Sequence, residues 1–550
     1  MKKKLIVSIL SLSMVFGFML GGSSEVFAAI SGAPGESAVN PIMINSAEDL
    51  VAMQQSISAD NPKFGDAYYK LAGDIDMKGI DFTTIGSADD KKFAGDFNGN
   101  DKKITNLTVN PKDPLHAADQ GLFGYVGGNA KIYNLNIVGC SVTGSGNVGA
   151  VVGSLNDNAK ISGCSATGNI TANGADGFVG GLVGMMAADG GFIAQSSSSC
   201  AVSADKDGAF IGGLVGVVKS AKAEVRNCYS TGVLLGSANS TIGGLIGKME
   251  HGKLLHSYFN GTATVAKVGY IVGTLNGGEV KHCYFKSTNS ADKEFSGTAA
   301  QGSTVEKVGA KAPGDFQSGE VCYLLQTGNG ENVSLIWGQN ITGKTPATVP
   351  SLTANEKNRV CKVEIVDKVD SKNGSENFLN KGQKLTIASK DSKEAKLFTD
   401  EAMKTEFDYK TKTIDNEYNR FYVSWAATTF TVTFNANGGS AVADITGVVS
   451  GSKINKPTDP TKKGYTFGGW YTDNKFATAW EFDKSTVTGN TTLYAKWNAE
   501  TGAAVATSAN NNPKAGDEGI PIAYFIIFGI AFIGVGTAAG VLIWRKKQGY

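Results

Sequence analysis

One segment returns along the chain at a nearly constant interval, and that interval restricts the fold more than any other feature. "VGAVVGSLNDNAKISGCSATG", "VGGLVGMMAADGGFIAQSSSS", "IGGLVGVVKSAKAEVRNCYSTG" and "IGGLIGKMEHGKLLHSYFNG" begin at Val148, Val179, Ile211 and Ile242. The steps are 31, 32 and 31 residues, within the range of one layer of a solenoid. A diverged copy, "VGYIVGTLNGGEVKHCYF", starts at Val268, and an earlier one, "QGLFGYVGGNAKIYNLNIVG", at Gln120. Each copy reads as a short apolar run, a polar turn and a second short run, with glycines on both sides. Strands this short cannot bury their faces alone; stacking each coil on the next pairs the backbone and encloses an apolar column. The pattern predicts a parallel β-solenoid, since a propeller blade needs four strands and the unit is too short for it. The 71 glycines show no triplet period, which excludes collagen and fits many tight turns.

These copies resemble the glycine-rich GLUG motif of bacterial surface proteins. Gly212-Gly213-Leu214-Val215-Gly216 and Asn227-Cys228-Tyr229-Ser230-Thr231-Gly232 carry the match most fully. Upstream, "INSAEDLVAM", "YYKLAGDIDM", "FTTIGS" and "FAGDFNGNDKKITNLTV" look like the opening of such domains, and "DFQSGEVCYLLQ" and "LIWGQ" like their close. The resemblance spans about Ile42 to Leu352 and implies a fold rather than an activity, because the family is defined by its coils. Residues 30–352 are therefore assigned to the β-helix.

Both ends carry addresses. Lys2, Lys3 and Lys4, the apolar run from Leu5 to Leu20, and small residues at Ala28 and Ala29 read as a secretory signal peptide over residues 1–29. Ile520 to Trp544 is apolar, uncharged and long enough to cross roughly 30 Å of hydrocarbon as a single C-terminal transmembrane helix. Arg545, Lys546 and Lys547 follow and should stay inside. Residues 499–511 have the composition of a flexible spacer, and Asn512, Pro513, Lys514, Ala515 and Gly516 stand between it and the span. This order resembles a Gram-positive sortase sorting signal. It implies cleavage by a sortase between Ala515 and Gly516 and linkage of Ala515 to peptidoglycan. The chain departs from the LPxTG pattern at Asn512 and from both that and the NPxTG variant at Ala515; uncleaved, the span stays as a membrane anchor.

After Leu352 the glycine pattern stops. Residues 355–427 alternate apolar and polar residues around Asn373-Gly374 and predict a small β-rich domain. Residues 429–498 resemble the B-repeat of listerial internalins: "VTFNANGG", Pro457, Pro460, "GYTFGGWY" from Gly464 and "LYAKW" from Leu493 fall in order. That resemblance implies a compact β-grasp-like unit, with Trp470, Trp480, Trp497, Tyr465 and Phe467 supplying its core. The fold class expected is thus all-β: a parallel β-solenoid, a small β-rich domain, a β-grasp-like B-repeat and one C-terminal span.

Seven cysteines suggest disulfides, but Cys164 and Cys228 share a repeat register with Ser196 between them. Two strand spacings, roughly 9.6 Å, exceed the ~7 Å that a disulfide spans. Cys164, Cys228 and Cys283 are read as small hydrophobes in a column. Tyr229, Tyr258 and Tyr284 occupy the next register, either packed as an aromatic ladder or turned outward as candidate ligand-contacting rings for sugars. His251, His256 and His282 lack zinc-site spacing and read as surface turn residues.

With 51 basic and 50 acidic residues the charge argues for no nucleic acid. The expected role is a cell-wall-anchored surface protein of a Gram-positive bacterium, binding extracellular glycans or host proteins. The alternatives are an enzyme acting on extracellular polysaccharide and a passive surface spacer or scaffold. An enzyme of that kind needs gathered carboxylates, whereas Asp157, Asp189, Glu224 and Glu250 are scattered, and Asp74, Asp76 and Asp81 read as turn residues. No HExxH is present. The expectation is no enzyme activity, no catalytic residue, no metal and no cofactor.

Overall fold

The computed structural model describes residue 35 and residues 37–500 apart from 59–61, 112–117, 188–189, 265–267, 289–294, 300–301, 329–335, 342–348, 353–354, 371–373 and 391–392. The expected signal peptide, the sorting signal Asn512 to Gly516 and the span 520–544 lie outside the described residues. Among the described residues no helix is long and apolar enough to cross a membrane. The chain divides into two units, Met1–Thr428 and Thr429–Tyr550.

In the first unit the sequence repeat is the coil. Gln120, Val148, Val179, Ile211, Ile242 and Val268 pair in that order across successive parallel strands. The strands of each turn contribute to parallel sheets of 10, 13, 7 and 6 strands. Inside, Ile132, Ile161, Ile193, Val225, Leu254 and Val280 stack in register and are fully buried. Each such side chain contributes about 1.5–3 kcal/mol. The helix Ala47–Ser58 adds Leu50, Met53 and Ile57 to the same core.

The repeat's glycines follow from backbone proximity. A Cβ on Gly180, Gly212, Gly243 or Gly269 would lie 2.0, 1.9, 1.7 or 1.8 Å from a carbonyl oxygen, the shortest being Gly243 against Ile246. A second fixed position is a one-residue left-handed turn. Asn134, Gly163, Gln195, Asn227, His256, His282 and Lys307 hold it on successive coils, with φ between 48° and 62°. Asparagine, glycine and histidine are among the residues that enter this region most readily, and each turn joins a strand of the 10-stranded sheet to one of the 13-stranded sheet.

Just after that turn, Cys164, Ser196, Cys228, Ser257 and Cys283 alternate in one buried column. Ser196 Oγ accepts from the Cys164 amide at 3.1 Å, and Ser257 Oγ from the Cys228 amide at 3.1 Å. All seven cysteines are free and buried. Burial pushes the thiols of Cys164, Cys228 and Cys283 up to about 12. Cys140 pairs in register with Gly168, and Cys200 Sγ donates to the Gly181 carbonyl at 3.7 Å.

The coils run from Ile42–Ile44 to Gly309–Lys311. Residues from Pro313 onward, assigned from sequence to the β-helix, instead form two short helices, Pro313–Ser318 and Glu320–Thr327, that cover one wall. Pro313 at the first helical position and left-handed Gly319 between the helices (φ 98°) punctuate this cap.

The two small domains share one plan. In residues 360–427, Val360–Asp367 lies parallel to Tyr418–Ala427 at the centre, flanked by Ser375–Asn380 on one side and by Lys393–Phe398 and Glu406–Phe407 on the other. In the second unit, Thr429–Asn435 lies parallel to Thr491–Ala499, flanked by Ile445–Val449 and Tyr465–Tyr471. The correspondence extends to single residues. Leu397 pairs with Val423 and Phe398 with Tyr422, as Trp470 pairs with Ala495 and Tyr471 with Tyr494. The Trp425 indole donates to Asp367 Oδ2 at 2.9 Å, and the Trp497 indole to the Ala436 carbonyl at 2.9 Å.

The same turn also closes both hairpins. Thr399 N–H donates to the Thr405 carbonyl and Thr472 N–H to that of Thr478. Met403 and Phe476 take left-handed φ of 55° and 59°. Asp400 accepts from the amides of Lys404 and Thr405, and Asp473 from those of Ala477 and Thr478. These amides hold both carboxyls below the ordinary aspartate range. Asp400→Ala is expected to speed hydrogen exchange at Lys404 and Thr405 while leaving Ala477 and Thr478 unchanged, and Asp473→Ala to do the reverse. The carboxylates' contribution is present above their ordinary pKa and is lost as pH falls through the lowered one.

In the second unit Trp470 is buried, with Phe467, Trp480 and Trp497 packed beside it. Tyr465, expected in that core, is 41 % exposed, because it begins an edge strand and its ring lies under the Lys462 ammonium at 4.8 Å instead.

Candidate functional site

The three tyrosines singled out from sequence do stand in one register. Tyr229 pairs with Tyr258, and Tyr258 with Tyr284. The rings of Tyr229 and Tyr258 stack at 5.0 Å with 4° between planes. They lie on the outer side of the coil and belong to a cluster separate from the solenoid core, with Phe316, Val321, Leu325 and Trp337 from the cap and Val360 from the next domain.

This cover decides what the column can do. Tyr258 is fully buried and Tyr284 nearly so, while Tyr229 is half-buried. Trp337 packs 5.5 Å from Tyr258 and 6.2 Å from Tyr229, and its indole N–H donates to Asn227 Oδ1 at 3.2 Å. The Tyr258 hydroxyl donates to the Pro350 carbonyl at 2.6 Å, and burial raises its pKa well above the ordinary value. While the cap is in place no ligand reaches Tyr258.

His256 and His282 occupy the left-handed turn beside this column and stack at 4.9 Å. His256 departs from the expected surface position: it is 8 % exposed, because Gly328 at the end of the second cap helix lies over it. Its Nδ1 has no hydrogen-bond partner among the described residues. Desolvation, then the neighbouring His282 and Arg226, push its pKa down to about 4. His251 lies apart on the surface.

The acids noted from sequence are engaged structurally. Asp76 Oδ1 accepts from Asn106 Nδ2 at 2.8 Å and from the Lys78 amide at 3.0 Å, and Asp74 Oδ1 accepts from the Lys103 amide at 2.9 Å. Asp157 accepts from the Gly128 amide at 2.6 Å. Glu224 pairs with Arg226 at 3.3 Å and Glu250 with Lys248 at 2.8 Å. Asp189 lies outside the described residues. Among the described residues no group of three or more His, Cys, Asp or Glu could hold a metal ion.

Sequence reading missed one outward-facing aromatic pair. Phe178 and Phe210 adjoin in register on the outer wall, with ring centroids 6.0 Å apart. The Lys219 ammonium lies over Phe178 at 5.2 Å and that of Lys248 over Phe210 at 5.3 Å. The available signal was the residue before each "VGG" or "IGG", which is phenylalanine in these two copies.

Fold and walls together define a β-solenoid joined to two small β domains of common plan. Comparison with known proteins adds particulars. Residues 430–496 match the Listeria-Bacteroides repeat domain. A provisionally named Gly-rich membrane protein of Evansella cellulosilytica is 40 % identical over 100 residues, covering 18 % of this chain and 11 % of that protein. Internalin H of Listeria monocytogenes is 31 % identical over 114 residues, covering 20 % of this chain and 18 % of that protein. The match therefore spans under a fifth of these relatives. A crystal structure described as a candidate immunoglobulin A1 protease of Bacteroides ovatus is 21 % identical with a TM-score of 0.44, covering 58 % of this chain and 94 % of that one. A second, described as IgA1 protease, covers 49 % of this chain and 21 % of that one at 12 % identity and a TM-score of 0.26. The expectation of no enzyme activity is corrected by these descriptions, one solved chain being described as a candidate immunoglobulin A1 protease and the other as IgA1 protease. The named relatives are membrane and internalin proteins, consistent with an exported or cell-surface chain.

Proposed function

We propose that the chain is an extracellular surface protein whose β-solenoid serves as a scaffold. The observation that carries this reading is the cap: the solenoid's aromatic column is spent on fastening Pro313–Ser318, Glu320–Thr327 and the 360–427 sheet to the coil wall. The match of residues 430–496 to the Listeria-Bacteroides repeat domain and the similarity of a fifth of the chain to an internalin support display outside the cell. The same reading takes Asn512 to Gly516 as the sorting signal, with Ala515 joined by a sortase to peptidoglycan, and 520–544 as the anchor where cleavage fails.

The test is to present the purified full-length chain with glycans, matrix proteins and immunoglobulin A1 and to score both retention and products. A scaffold gives neither saturable retention nor new fragments. Saturable retention without products would replace it by an adhesin and direct mutation to Phe178 and Phe210. Fragments of immunoglobulin A1, or shortened polysaccharide, would replace it by an enzyme.

A further inference from the structure

The cap is fastened over groups that gain charge in acid. Gly328 ends the second cap helix with its backbone directly over the stacked histidines: a Cβ there would lie 2.5 Å from His282 Nδ1 and 2.8 Å from His256 Nδ1. His256 Nδ1 is buried without a hydrogen-bond partner among the described residues. Next to this contact, Trp337 closes over Tyr229 and Tyr258, and Cys322 of the same helix is fully buried.

We propose that His256 and His282 form an acid-sensitive latch: protonating the pair lifts the cap from the coil wall and uncovers the Tyr229–Tyr258 column. Two imidazolium rings stacked at 4.9 Å repel each other, and the overlying Gly328 backbone contributes no side-chain carboxylate to compensate.

The surrounding charges favour the neutral pair. From the coil on one side comes Arg226, itself paired with Glu224. From the other come Lys281, paired with Glu279 and Glu306, and Lys307. Desolvation leads in lowering both histidines, Arg226 adds to it at His256 and the two lysines at His282, and Glu306 opposes it at His282. The charged residue of the second cap helix, Glu320, is paired with Lys311 instead.

The sign follows from proton linkage. With the cap closed, burial pushes His256 down to about 4 from an ordinary 6.5, so the closed state binds fewer protons. Its stability is complete above the ordinary value and is lost as pH falls towards the lower one. Each pH unit between them multiplies the opening equilibrium about tenfold, roughly 300-fold in all for His256 alone.

The test reads Cys322 in the full-length chain with a thiol reagent active in acid, a dipyridyl disulfide, and maps labelled cysteines by mass spectrometry. Between about pH 7 and about pH 4, labelling of Cys322 should rise on the order of 100-fold or more while Cys164 and Cys228 in the coil stay protected. The double variant His256→Asn and His282→Asn keeps the turn, which Asn134 and Asn227 already occupy, and should lose the rise. Cys322 protected throughout in the unaltered chain would overturn the latch. So would an undiminished rise in the double variant, or Cys164 labelled in step with Cys322, which is loss of the whole coil.

Discussion

Gly243→Ala is expected to destabilise the solenoid by more than about 4 kcal/mol, measured by chemical denaturation of the full-length chain. The added Cβ would lie 1.7 Å from the Ile246 carbonyl oxygen and 2.5 Å from the Gly273 amide nitrogen on the next coil. Both obstacles are backbone, so neither can rotate away: relieving the first requires reshaping the Gly243–Ile246 corner within one coil, and relieving the second requires parting two coils whose inward residues are packed without exposure. Gly309→Ala is the matched control. It lies in a coil strand, a Cβ added there would meet no atom within 4 Å, and its φ is not left-handed. Its substitution should change stability by no more than about 0.5 kcal/mol.

Trp337→Ala should cost about 3–5 kcal/mol, and the loss should fall on the cap rather than the coil. The indole fills the space over Tyr229 and Tyr258 and donates to Asn227. Removing it leaves a cavity over rings that the coil itself does not cover. Hydrogen exchange separates the two elements: amides of Glu320–Thr327 should lose protection, while those of Lys160–Ser162 and Phe192–Ala194 keep it. Equal loss in both would mean that the cap and coil unfold as one unit.

The coil was legible because its constraint is periodic. The apolar residue opening each copy must face its predecessor one turn back, so Val148, Val179, Ile211 and Ile242 announced the register directly. The cysteine column was legible for the same reason, though Ser257 went unnoticed as a further member. The cover over the tyrosines was not legible. It comes from a segment far along the chain, as the bond from Tyr258 to Pro350 shows, and nothing periodic links the two. His256 was assigned to the surface because a turn residue ordinarily points to water; only the cap, packed on that turn, buries it.

The 360–427 domain illustrates the reverse case. "FYVSW" from Phe421 and "LYAKW" from Leu493 share their tyrosine and tryptophan, and "TD" at Thr399 and Thr472 is followed six residues after each threonine by another threonine. These signals were present in the sequence. They are short, and the aromatic core that makes the second copy recognisable is thinned in the first, where Leu397 stands in the place of Trp470.

Display outside the cell is the central claim, and protease shaving of intact cells that make the chain tests it most directly. Brief trypsin treatment followed by mass spectrometry should release peptides from the coil wall, the 360–427 sheet and the 429–499 sheet without lysis. Peptides from these regions that appear only after the cells are broken would contradict it.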